Sequence, residues 1–143
     1  MPRRYVTSGE RRQIAERADK RCEYCKSHMD YSPQSFDIEH VLPVVLGGKT
    51  NMDNLALACG GCNSHKYTKV EALDEIEQIM VPLYNPRKDS WYDHFAWSAD
   101  CLQMIGRTSI GRATVQALNL NRLGLMNIRT LLLMVGLHPP SRK

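Results

Sequence analysis

Between Ser8 and Lys20, Ile14 and Ala18 fall four apart among mostly polar neighbours, which puts them on one face of a helix that Ser8 could cap. From Phe36 to Pro43 the β-type residues Phe36, Ile38 and Val41 sit among polar ones, predicting a strand that Pro43 ends. Gly47-Gly48 marks a turn, Asn51 to Asn54 continues a polar loop, and Leu55 to Cys59 reads as a second, short apolar strand. The stretch from Asn63 to about Met80 has neither Pro nor Gly and is rich in helix formers, so a helix is predicted there. Pro82, Asn85 and Pro86 then form a connector. Trp91 to Trp97 looks like a strand, followed by a turn at Ser98 to Asp100 and a partner strand at Leu102 to Ile105. Ser109 is placed to cap a helix reaching about Leu118, and a last helix runs from Arg122 to Val135 and closes at Gly136.

The mixed pattern predicts an α+β fold. At 143 residues the chain suits one domain (1–143), with a core at about 21–80 and a C-terminal extension at about 81–143. Its longest apolar run, Leu131 to Leu137, is far too short to span a bilayer, and no apolar leader follows Met1. A cytoplasmic protein without a membrane partner is expected. The net charge of +4 is a mild basic bias, concentrated at the two ends. Arg3, Arg4, Arg11, Arg12, Arg17, Lys20 and Arg21 face three acids in the first 21 residues, and Arg122 to Lys143 holds four basic residues and no acid. Either cluster suits a nucleic-acid backbone or a solvated helix face.

Cysteine spacing narrows the picture. Cys22/Cys25 and Cys59/Cys62 form two Cys-x-x-Cys pairs, the pattern of four thiolates around one structural zinc, while Cys101 reads as a small buried hydrophobe. Between the pairs lie Glu39-His40, Gly47-Gly48 and Asn54-Leu55, and Asn63 follows the second pair directly. Hydrolysis of a phosphodiester needs a base to activate water and a cation to offset developing charge. Imidazole suits the first task near neutral pH, and carboxylate and amide oxygens suit Mg²⁺ or Mn²⁺ for the second.

Over Arg21 to Lys66 these residues resemble the HNH endonucleases, members of the ββα-metal (His-Me finger) nucleases. The resemblance extends more loosely to Asn85-Pro86-Arg87, Trp91-x-x-His94-Phe95 and Gly111-Arg112-Ala113-Thr114. It implies a ββα-metal core stapled by zinc at Cys22, Cys25, Cys59 and Cys62, with flanking helices. It also implies His40 as general base, Asn54 as the residue that pins the loop and orients His40, and Glu39 with Asn63 as ligands of the catalytic cation. Glu39 stands where the family usually has Asp, one methylene shorter. The implied reaction is metal-dependent hydrolysis of DNA leaving 5′ phosphate and 3′ hydroxyl ends.

Asn63 is preferred to His65 as ligand, because residues two apart on a helix face different ways. Lys66 and Lys69, three apart on the predicted helix, are candidate phosphate contacts. Trp91, Phe95 and Trp97 read as core rather than as a stacking platform. Glu71, Asp74, Glu75 and Glu77 read as an exposed acidic face. A homodimer would be a natural route to double-strand breaks. The competing function is a non-catalytic zinc-ribbon module that binds nucleic acid, which has no use for Glu39, His40 and Asn63 together.

Overall fold

The computed structural model describes residues 4–142; Arg3 and Lys143, counted above in the basic ends, lie outside that range. Helix α1 (Ser8–Arg17) is capped by Thr7 rather than Ser8: the Thr7 hydroxyl accepts from the Glu10 N–H, and the Glu10 carboxylate accepts from the Thr7 N–H. It stops short of Lys20 because Asp19 and Lys20 take positive φ values of 54° and 59°. The first cysteine pair follows in a tight loop closed by an Arg21–His28 bridge.

Strands β1 (Asp37–His40) and β2 (Leu55–Ala58) pair antiparallel, with His40 opposite Leu55 and Glu39 opposite Ala56. Helix α2 (Gly60–Lys66) leaves β2 immediately, and Cys59 is its N-cap. This completes a ββα unit. All four β2 residues are buried, and its outer edge is covered rather than open. Glu23 exchanges a backbone bond and a carboxylate bond with Leu57, and Arg17 and Arg87 both donate to the Leu55 carbonyl.

The helix expected from Asn63 to Met80 is not formed. Lys66 ends α2, and Tyr67 turns the chain away at φ 50°. The rest is a hairpin of β3 (Glu71–Asp74) and β4 (Ile79–Pro82), with Gln78 at φ 57° in its turn. Tertiary contacts override propensity here: Ala72 and Asp74 alternate inward, and Val81 is buried. Asp74 is therefore not part of an exposed acidic face. It is buried and accepts two bonds from Arg112, at 3.0 and 2.8 Å, which hold its carboxyl below the ordinary value.

Trp91 to Trp97 divides into a one-turn helix α3 (Trp91–His94) and strand β5 (Phe95–Trp97), which pairs with β6 (Met104–Gly106). Helix α4 (Ser109–Ala117) is capped by Thr108, and α5 (Leu123–Met134) follows. Gly136, at φ 76°, closes α5 while Leu137 N–H returns to the Leu132 carbonyl. Trp91 and Phe95 are buried as expected and join the cysteines, Ile14, Leu55 and Leu57 in one core; Trp97 packs beside them. Cys101 departs from expectation: it is only half-buried and sits in a turn at φ 63°. The architecture is α+β, built of small antiparallel strand pairs with helices around them.

Candidate active site and metal centre

The two cysteine pairs converge. The four sulfurs of Cys22, Cys25, Cys59 and Cys62 lie within 4.8 Å of one another, all in buried residues. In each pair the second cysteine's backbone N–H points at the first one's sulfur, Cys25 to Cys22 at 3.5 Å and Cys62 to Cys59 at 3.4 Å. Tetrahedral zinc with bonds of about 2.3 Å needs sulfurs about 3.8 Å apart, and Cys25 and Cys59 are already at 3.7 Å. The donor set fits zinc. Burial pushes the Cys22 thiol well above its ordinary value, while hydrogen bonds from Cys22 and Cys25 hold Cys59 well below.

His40 ends β1 where the chain enters the loop to β2. Its Nε2 lies 2.9 Å from the Thr50 hydroxyl oxygen. Asn54 closes that loop at both ends: its Oδ1 accepts from Leu42 N–H at 2.8 Å, and its Nδ2 donates to the Leu42 and Lys49 carbonyls at 3.0 and 2.8 Å. The loop is held from the N-terminal side as well, since Arg4, just before α1, donates twice to the Thr50 carbonyl and Arg17 of α1 once to that of Met52. Thr50 is a residue that sequence reasoning missed.

Alternation along β1 places Asp37 and Glu39 on one face, and α2 packs its Asn63 and Lys66 against that face. Asn63 meets Asp37 rather than Glu39, donating from Nδ2 to Oδ2 at 3.2 Å. Glu39 is buried and accepts from the Tyr24 hydroxyl, while Lys66 Nζ stands 3.2 Å from its Oε2. Burial pushes the Glu39 carboxyl up, against the opposing pull of Lys66 and Tyr24. Two carboxylates and an amide oxygen on one face are a donor set that fits Mg²⁺ or Mn²⁺. Asp37 was legible only as the residue two before Glu39, hence on its face of the strand.

The lysines depart from expectation. Lys66 is 1% exposed and donates to the Val41 carbonyl, so it is spent inside the core rather than offered to phosphate. Lys69 is exposed but lies beyond α2, its Nζ on the His65 carbonyl at 2.9 Å. His65 turns back within its helix, Nδ1 bonding to the Gly61 carbonyl, and does not approach Asp37 as Asn63 does.

Residues 22–69 match the HNH endonuclease family. That segment is similar to an HNH domain. The matched segment spans both cysteine pairs, β1, the pinned loop, β2 and α2, so every residue of the candidate site except Arg4 and Arg17 belongs to it. Comparison with curated proteins and with solved structures gave no significant match. No helix among the described residues is long and apolar enough to cross a membrane.

Proposed function

We propose that this HNH domain is a metal-dependent endonuclease that hydrolyses phosphodiester bonds in DNA. The observation that carries the reading is the loop beside His40: Asn54 fastens both of its ends, so the imidazole is presented from a fixed frame. In the tautomer that donates Nε2–H to the Thr50 hydroxyl, Nδ1 would accept the proton of the attacking water. Asn54 positions the loop. Asn63 and Glu39 would hold the cation, with Asp37 beside them. When bound, that cation offsets charge on the phosphate and the leaving 3′ oxygen. Glu39 would bring to the cation a buried carboxylate that Lys66 and Tyr24 also pair, as a negative charge at such a depth needs. Zinc at the four cysteines is structural, and residues 1–143 act as one domain.

The same ion pair favours a second reading. A carboxylate already filled by Tyr24 and Lys66 suits a structural role, as in a zinc module that binds nucleic acid without cutting it. Plasmid cleavage by purified protein with Mg²⁺, Mn²⁺ or EDTA separates the two. Metal-dependent nicking that His40→Ala abolishes at full zinc content is expected. A mobility shift without cutting under any metal gives the second reading the lead.

A further inference from the structure

The cysteine cluster has a further neighbour from outside the matched segment. Arg122 is the N-cap of α5, and its guanidinium lies on two of the sulfurs. Nη1 donates to Cys62 Sγ at 3.6 Å, and Nη2 reaches Cys59 Sγ and Cys62 Sγ, both at 3.5 Å. The remaining donor capacity of Nη1 goes to the Leu118 and Asn119 carbonyls, each at 3.3 Å, which fixes the fork in place. Room for it is made at Gly61, between the two cysteines: a Cβ there would fall on Nη2. The turn that delivers Arg122 is anchored too, because Leu118, Leu120 and Leu125 belong to the same buried cluster as the four cysteines.

Four thiolates around a dication leave about two excess negative charges, and burying them uncompensated is costly. A guanidinium supplies a permanent positive charge together with N–H donors aimed at sulfur, and such partners commonly tune how tightly a metal is held. We propose that Arg122 is a positioning residue of the zinc centre. It hydrogen-bonds the zinc-bound sulfurs of Cys59 and Cys62, offsets part of their charge, and so makes docking of the C-terminal extension and retention of the metal one event. The proposal rests on the four cysteines holding zinc.

The test is zinc release from the full chain to an excess of chromogenic chelator, after zinc content has been measured. Arg122→Met is expected to release zinc about 10–100-fold faster than wild type, the usual effect of losing an outer partner of a metal ligand. Gly61→Ala keeps Arg122 but displaces its fork, and is expected to speed release in the same direction. Release at the wild-type rate in either variant overturns the proposal. If Arg122→Met does not fold, Gly61→Ala decides by the same measure. Cobalt-substituted protein adds a readout that lost packing alone would not move: without N–H donors on sulfur, the thiolate-to-cobalt charge-transfer band of Arg122→Met shifts to lower energy at unchanged far-UV dichroism. An unshifted band overturns the contact to sulfur. Wild-type protein that carries no zinc removes the cysteine reading and the proposal with it, and metal content alone tells that failure apart.

Discussion

At the scale of single residues, the assignment of His40 stands on what fixes its ring. With His40 the proposed proton acceptor for water, His40→Ala should lower the cleavage rate by about 10²- to 10⁴-fold, read by plasmid nicking at equal zinc content. Thr50→Val tests the tautomer. It removes the partner of Nε2 and keeps the shape, so a smaller loss of rate is expected together with a displaced acidic limb in the pH–rate profile. A Thr50→Val profile identical to wild type would sink the proposed role of Nδ1. His40, Asn54 and Asn63 could be proposed from the sequence because the resemblance that suggests their roles depends on spacing along two strands and a helix. Thr50 and Asp37 were not, because their roles depend on how a loop folds back and which face of β1 meets α2. Lys66 and Arg122 misled for a simpler reason. A basic residue reads as a surface charge until its burial is known, and these two are turned onto Glu39 and onto the cysteines.

At the scale of elements, α1 and the residues just before it hold the loop beside His40, and α1 begins at a titratable cap. The Arg4 guanidinium, with the Thr7 N–H, holds the Glu10 carboxyl down at about 2, against 4.5 when unpaired. The folded form therefore binds fewer protons than the unfolded one between those values. The stability that this contributes is present above about pH 4.5 and is lost as the pH falls towards 2. Acid titration of far-UV dichroism should show that loss in wild type and not in Glu10→Gln. On the other side, α4 meets α3 and β6 at a contact only glycine allows: a Cβ on Gly111 would overlap the His94 carbonyl oxygen. Gly111→Ala should cost about 1–3 kcal/mol, measured by chemical denaturation. The β3–β4 hairpin was the element the sequence hid. Its Glu, Ala, Leu and Gln residues favour helix, and only packing of Ala72, Asp74 and Val81 against the rest selects the strand.

At the scale of the molecule, the charges sort into those already engaged and those facing solvent. Among the described residues, the three basic side chains of the C-terminal end that looked suited to a phosphate backbone each have a partner within the chain. Arg122 lies on the cysteines, Arg129 is buried against the Leu102 and Leu120 carbonyls, and Arg142 stacks over Tyr92 at 4.5 Å. The N-terminal end is different. Arg4, Arg17 and Arg21 hold backbone carbonyls, but Arg11 and Arg12 of α1 are exposed, on the element that clamps the loop beside His40. If that face holds DNA by charge, each lost contact removes about 0.9 from the slope of log affinity against log salt. The double variant Arg11→Ala/Arg12→Ala should therefore bind a duplex more weakly at low salt, with a slope shallower by about two, measured by fluorescence anisotropy under non-cleaving conditions. Arg142→Ala removes one charge from the opposite end and should leave the slope unchanged. A slope that moves with Arg142 and not with Arg11 and Arg12 would put the DNA on the C-terminal side, and would mean that binding there breaks the Arg142–Tyr92 stack.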